Sequence, residues 1–389
     1  MNNRFTSQFK GDKWIWSIVV ILSLIGILAV YSSTGALAYS EQKGDTEWYF
    51  LRHTRFLLIG LVLLYITHHI PFQYYARISQ IFLLVSIGLL FATLFIGSEL
   101  NNATRVLPIP LLGITFQPSD MAKLFLVMYI ARYLSKNQSE IDSPRVFWTT
   151  LVYILVVVLL IAPENLSTAL VVFVTCSLLM FIGRVNVKYL LFLLFSGCGL
   201  LSIFVVVLLN LNTANMENTR IPTWKQRIET FMGRDEGEGN YQQLQSKIAV
   251  SSGGILGKGP GNSTQRNYLP HSYSDFIYAI IIEEYGLLGG LLVMGCFLVL
   301  IFRCSKIVGE SPRAFGALVA IGLGLSISLQ AFVNMGVAVG LLPVTGLTIP
   351  MVSMGGTSIF MNSIAFGIIL GISKHAQEEK EKEGLLAGI

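Results

Sequence analysis

Residues 189–210 read Tyr189-Leu190-Leu191-Phe192-Leu193-Leu194-Phe195-Ser196-Gly197-Cys198-Gly199-Leu200-Leu201-Ser202-Ile203-Phe204-Val205-Val206-Val207-Leu208-Leu209-Asn210, without a single charge. Wound as a helix at 1.5 Å per residue, the run covers about 33 Å, enough to cross a hydrocarbon core of about 30 Å. Nine further apolar runs lie to either side: about 14–38, 56–70, 78–96, 121–134, 147–162 and 166–182 before it, and 276–302, 314–341 and 348–372 after it. The chain is 53% hydrophobic and only 13% charged, about half the charge of a soluble domain. The fold expected is therefore an all-α polytopic membrane protein of about ten transmembrane helices.

No repeat recurs along the chain, so residues 1–389 are expected to form a single membrane domain. If the N-terminus is cytoplasmic, fifteen of the 27 Lys and Arg fall on the inner side. Seven others lie in the long loop 211–274, which the positive-inside rule discounts. Both termini are thus expected inside, the loop between spans seven and eight outside, and residues 374–389 as a cytoplasmic tail. Ala36-Leu37-Ala38 imitates a signal-peptidase site, but the apolar run before it is too long for a signal peptide, so an uncleaved first span is expected. The four cysteines offer neither a disulfide framework nor metal-ligand spacing. Trp224, Ile228, Phe231 and Met232 suit an amphipathic helix on the outer leaflet. Gly316, Ala320, Gly324 and Ser328 on span nine, with Gly367 and Gly371 on span ten, let helices approach closely, whether inside this bundle or against a partner's helix.

Chemistry points to the join between loop and span. From Gln245 to Gly261 the chain is polar and rich in glycine, and Ser274-Asp275-Phe276 then opens an apolar helix. Polar, bent backbone at a bilayer is tolerated where it is buried in protein or lines a wet cavity. Asp275 reads either as a helix N-cap or as a general base, and one side chain can serve both. Glu283 and Glu284 lie about 12 Å further along the helix, too far to form a hydrolytic carboxylate pair with Asp275; they read first as structural ion pairs. Arg105 and Lys123 are basic groups suited to a phosphate, and Asp120 shares a helix face with Lys123. Glu164 sits in a tight turn between spans five and six. Asn334, Gly336, Gly340, Pro343, Thr345, Gly346, Pro350, Ser353, Gly355, Gly356 and Ser358 mark a broken, re-entrant stretch between the last two spans. Gly257-Lys258-Gly259 completes neither a P-loop nor a dinucleotide motif, so no nucleotide or nucleic-acid site is expected. His68-His69 reads as interfacial.

Taken together and in order, Gln117-Pro118-Ser119-Asp120 with Lys123, Gln245-Ser246-Lys247, Ser252-Gly253-Gly254, Gly257-Lys258-Gly259, Gly261-Asn262-Ser263, Leu269-Pro270, Asp275-Phe276-Ile277, and Pro350 with Ser353, Gly355, Gly356 and Ser358 resemble the SEDS family (shape, elongation, division, sporulation). Gly261-Asn262-Ser263 and the run 342–348 resemble its division branch more than its elongation branch. The resemblance implies a ten-span peptidoglycan glycosyltransferase of the bacterial cytoplasmic membrane, polymerising lipid II at the outer face, with Asp275 as the catalytic residue. Arg105, Lys123, Lys247, Arg266, Asp120, Glu164, Gln245 and Ser353 become the substrate-binding candidates. No cofactor is demanded, though a divalent cation, magnesium or manganese, is a candidate to share the pyrophosphate charge. The implied partner is a class B penicillin-binding protein (an FtsI-like transpeptidase) docked through spans eight and nine, with other division membrane proteins at the septum. This chain departs from the family's usual Glu-x-His-Thr-Asp with His271-Ser272-Tyr273-Ser274-Asp275, and it has Asp120 and Met354 where Glu and Tyr are usual. A lipid II flippase and a non-catalytic scaffold are the competing classes. Every candidate residue falls near one face, whereas a flippase needs a path between both.

Overall fold

The computed structural model describes residues 10–35, 37, 46–96, 98–99, 104–109, 114–212, 220–233 and 238–387. Apart from Leu37, the Ala36-Leu37-Ala38 motif falls outside them. Among the described residues twelve helices follow in order: α1 Lys13–Ser33, α2 Thr46–His69, α3 Phe72–Ile96, α4 Pro118–Lys136, α5 Pro144–Ile161, α6 Leu166–Ile182, α7 Val187–Asn210, α8 Ile221–Phe231, α9 Glu238–Gly253, α10 Ile277–Glu310, α11 Ala314–Ala338 and α12 Ser358–Ala387. Eight of them are long and apolar enough to cross a membrane, and α6 is a shorter apolar helix. α4 has 19 residues but carries Asp120, Lys123, Arg132 and Lys136, which lowers its mean hydropathy. With α6 and α4 the helices answer the ten apolar runs, and the chain is a multi-pass membrane protein.

Two boundaries differ from expectation. α2 begins at Thr46, ten residues before the apolar run. Arg52 and His53, which hydropathy assigns to a loop, are therefore helical. α12 continues to Ala387, so the charged tail extends the last span, held by Lys10–Glu378 at 3.6 Å and Lys380–Glu310 at 3.1 Å. Between α3 and α4 the chain also forms a small antiparallel sheet with no counterpart in the hydropathy pattern: β1 Ser98–Glu99, β2 Thr104–Ile109 and β3 Ile114–Phe116, in that order, with Leu107 opposite Phe116.

α11 sits at the centre of the bundle, with most of its residues buried. Its small residues face neighbours in the same chain. A Cβ on Gly324 would come within 2.5 Å of Cys304 Sγ on α10, and one on Gly316 would meet Ser311, Ile372 and Phe72. This resolves the two readings of the small-residue face in favour of packing within the bundle; a partner cannot reach that face. Gly367 and Gly371 likewise bring α12 against α2, where a Cβ on Gly367 would lie 2.4 Å from the Leu64 carbonyl oxygen. α7 is the opposite case, with Leu193 and Leu208 alone buried, and it presents nearly all its apolar surface to lipid.

α10 is broken. Gly286 takes φ 69° and ψ −172° inside it, a conformation open to glycine. The interruption frees backbone groups that lipid could not satisfy, and the stretch after α9 supplies their partners. Lys258 N–H donates to the Glu283 carbonyl and Gly259 N–H to that of Glu284, both at 2.9 Å; Leu287 N–H donates to Gly254 at 2.9 Å and Leu288 N–H to Ile255 at 3.4 Å. The two backbones touch, since a Cβ on Gly257 would lie 2.2 Å from the Glu284 carbonyl oxygen.

Candidate functional site

Asp275 closes a tight turn. Its N–H, and those of Ser274 and Phe276, donate to the His271 carbonyl, and His271 itself takes φ 56°. The N-cap of α10 is Phe276, which makes no side-chain capping bond. Asp275 thus stands one residue before the N-cap position of α10.

The backbone around this carboxylate is fixed from one side. Three successive carbonyls accept bonds: Tyr273 from Met354 N–H at 3.1 Å, Ser274 from Ser353 Oγ at 2.8 Å, and Asp275 from Asn334 Nδ2 at 2.7 Å. Asn334 also donates to the Leu347 carbonyl, and Ser353 Oγ accepts from Ile349 N–H at 2.8 Å. The re-entrant stretch between α11 and α12 is therefore a brace that holds the turn carrying Asp275.

Asp275 lines a cavity of about 300 Å³. Arg52, His53 and Phe56 of α2, Val106 of β2, Thr115 of β3, Gln117, His271, Tyr273, and Thr348 with Gly355 to Thr357 of the brace complete much of its wall. Thr357 Oγ1 donates to the Thr115 carbonyl at 3.2 Å, which pins the sheet to the brace. Across a second, mostly apolar cavity of about 350 Å³ lies α8. Its Arg227 lines that cavity, donates to the Thr345 carbonyl at 3.3 Å and interacts electrostatically with Asp275. Burial, then the neighbouring Arg220, pushes the Arg227 pKa below the ordinary arginine value, and the Asp275 charge opposes that shift.

The other expected site residues fall into separate places. Ser353 is buried in the brace, one bond from the Asp275 turn. Lys123 is buried behind the cavity wall: its Nζ donates to Gln330 Oε1 at 2.6 Å and lies 3.4 Å from Asp120 Oδ1, while Gln330 donates to the carbonyl of cavity-lining Thr348 at 2.8 Å. Arg105 belongs to β2 beside Val106, and its side chain lies outside the described residues. Ser353, Asp120 and Lys123 thus stand outside the cavity lining, and four further candidates do not line it either. Arg266 donates to the Ser32 carbonyl at 3.1 Å. Lys247 is exposed and lies over Gly340. Gln245 is half-buried on α9, and Glu164 is buried against Thr93 of α3. Glu283 is the structural acid expected: fully buried, it binds Lys258 Nζ at 2.6 Å and Thr264 N–H at 3.1 Å, fastening the glycine-rich loop. Among the described residues no three His, Cys, Asp or Glu side chains gather as metal ligands.

The model of a cell cycle protein family, FtsW/RodA/SpoVE, matches residues 12–378. The chain belongs to that family. Among FtsW/RodA/SpoVE relatives, a probable peptidoglycan glycosyltransferase FtsW of Nitrosococcus halophilus is 35% identical over 372 residues, 93% of this chain and 92% of that one. Stage V sporulation protein E of Bacillus subtilis is 30% identical, covering 96% and 99%. In fold, the chain is similar to the rod shape determining protein RodA of Thermus thermophilus, with TM-score 0.66, 22% identity, and 94% and 97% covered. It is also similar to a chain solved in a study of the "structural coordination of polymerization and crosslinking by a peptidoglycan synthase complex", with TM-score 0.73, 23% identity, and 94% and 98% covered.

Within this FtsW/RodA/SpoVE chain, Arg52 and His53 of the cavity wall, and Arg227, which interacts electrostatically with Asp275, are not among the candidates the sequence offers. Arg52 and His53 sit adjacent at a polar, helical end of α2, just before the uninterrupted apolar run begins. A helix extended back to Thr46 would have placed them on the cavity. Arg227 stands on the polar face of the amphipathic helix, which reads as solvated until the helix is seen to fold over the bundle.

Proposed function

We propose that this chain is a lipid II polymerase of the bacterial cytoplasmic membrane, acting in septal wall synthesis with Asp275 as its general base. The observation that carries this reading is the braced Asp275 turn, whose carboxylate is held in the wall of a cavity large enough for part of a sugar. Asp275 takes the proton from the 4-hydroxyl of the acceptor N-acetylglucosamine. The freed oxygen forms a bond to the donor's anomeric carbon, the bond from that carbon to the polyprenyl pyrophosphate breaks, and configuration inverts with no covalent enzyme intermediate. The apolar cavity beside Arg227 supports a lipid-linked substrate, with its chain in the groove and its charged head toward Asp275. Arg52, in the cavity wall, is the cation proposed to meet the departing pyrophosphate, with Arg105 a second candidate by its sequence position. A magnesium or manganese ion would take most of its ligands from the pyrophosphate oxygens, since the described residues assemble no ligand cluster of their own.

Residues 1–389 act as one membrane domain with both termini cytoplasmic and the loop 211–274 outside. The partner is a class B penicillin-binding protein, an FtsI-like transpeptidase, docked on span eight rather than on the enclosed span nine, alongside other division proteins. The names of the relatives, and the likeness to a chain studied within a peptidoglycan synthase complex, support this reading. Asp275→Asn keeps a polar side chain of the same shape but accepts no proton at neutral pH. It should retain membrane level and melting temperature while polymerising labelled lipid II about 10²-fold more slowly or worse. Near-parental polymerisation by that variant would remove Asp275 from the chemistry.

A further inference from the structure

We infer that His53 is a substrate-contacting residue of the Asp275 cavity, its imidazole donating a hydrogen bond to a pyrophosphate oxygen of the lipid-linked sugar. The inference rests on the polymerase reading and adds a residue to it.

His53 is 1% exposed, yet neither Nδ1 nor Nε2 has a hydrogen-bond partner among the described residues. It lies in the cavity wall together with Asp275 and its neighbour Arg52. A buried polar group left without a partner costs stability, and an apolar residue of similar size would avoid that cost. Other buried polar side chains of the site are bonded: Ser353 to the Ser274 carbonyl, Asn334 to the carbonyls of Asp275 and Leu347, and Lys123 to Gln330. Asn334 Oδ1 and both ring nitrogens of His68 are unpaired among the described residues too, but His53 differs in lying in the cavity wall with no side-chain atom bonded, so its partner arrives with the ligand.

The ligand class follows from its surroundings. Next to His53 on the cavity wall, Arg52 brings a positive charge, and its guanidinium stacks 5.0 Å from the Trp48 ring centre, which fixes its position. An imidazole N–H beside a fixed guanidinium suits an anion with several oxygens, because each donor can take a different one. Asp275, on another part of the same wall, would repel that anion and so leaves the sugar hydroxyl as its own partner. The cavity therefore divides into an anion end on α2 and a proton-accepting end on the turn before α10.

The test uses the full chain with its penicillin-binding partner and compares His53→Leu with His53→Gln. Leu fills the space with no polar atom, whereas Gln restores an N–H donor. His53→Leu should raise the KM for lipid II about tenfold or more, the scale of one hydrogen bond to a charged group, with kcat changed far less. Its melting temperature should equal or exceed the parental value, because a buried unpaired polar group is gone. His53→Gln should recover most of the lost affinity. An unchanged KM in His53→Leu overturns the inference, as does a fall in melting temperature shared by both variants, which would mark His53 as structural. If the parental protein forms no polymer, the polymerase reading fails by itself. Binding of dansyl-labelled lipid II then decides the inference: weaker binding by His53→Leu sustains it, and equal binding overturns it.

Discussion

At the scale of single residues, the molecule separates groups that meet substrate from groups that hold them. Lys123 shows the difference. Its ammonium is buried between Asp120 and Gln330, so removing it leaves a carboxylate without its cation, the change that makes breaking a buried pair cost about 3 kcal/mol or more. Lys123→Met should lower the melting temperature of the purified protein and slow polymerisation in the same step, because Gln330, which bonds the Thr348 carbonyl, loses the Lys123 ammonium that holds its Oε1. A variant that melts at the parental temperature but binds lipid II poorly would put Lys123 on the substrate instead. The place of Asp275 beside a cavity was legible in the sequence, because polar, glycine-rich chain at a bilayer is tolerated where it is buried or lines one. Arg52 and His53 were not, since hydropathy sees where apolar residues start and a helix can start earlier. Arg266 and Lys247 mislead for the converse reason: being basic and on the right loop does not fix which way a side chain turns.

At the scale of elements, the glycine-rich loop and the broken helix are one unit. Gly253 and Gly257 lie where a Cβ would sit 2.1 Å from the Ile282 carbonyl oxygen and 2.2 Å from that of Glu284. These are backbone atoms with little room to yield, and Gly257 also takes φ 81°. Gly257→Ala should therefore push the loop off α10, expose residues 254–265 to protease and abolish polymerisation even though Asp275 is untouched. Limited proteolysis of the purified variant checks this; a digestion pattern equal to the parent's would contradict it. The glycine-rich stretch reads as bent backbone buried in protein or lining a cavity, but only the structure shows that a helix is interrupted to receive it, because residues 276–302 read as one unbroken span. The small sheet was hidden for another reason: its strands are two, six and three residues long, too short for alternation to rise above the noise of a loop.

At the scale of the whole molecule, the burial pattern says which faces are free. α11 is enclosed, so the proposed partner helix is assigned to the exposed stripe of its neighbour α10, where Leu288, Leu291, Leu292 and Leu298 are each at least 45% exposed. Leu288→Trp with Leu292→Trp should cut co-purification of the penicillin-binding partner while leaving the melting temperature of the isolated chain unchanged. Gly324→Leu should do the reverse, lowering that temperature by driving α11 away from Cys304. Equal co-purification of the tryptophan variant and the parent would move the interface elsewhere. The ten-span architecture was readable from hydropathy, since each span announces itself; which faces meet each other was not, since in lipid both kinds of face are apolar.

The break at Gly286 also bears on how the protein is made. Until residues 254–259 dock, the interrupted stretch of α10 has two carbonyls and two N–H groups that the lipid interior cannot bond, each a penalty of several kcal/mol. The ribosome delivers residues 254–259 before α10, so their donors and acceptors already exist when the broken helix emerges. Insertion of α10 is thus a joining step that completes a fold begun upstream. A chain rearranged to synthesise α10 first would have to hold those four groups unsatisfied, and would stall at the membrane.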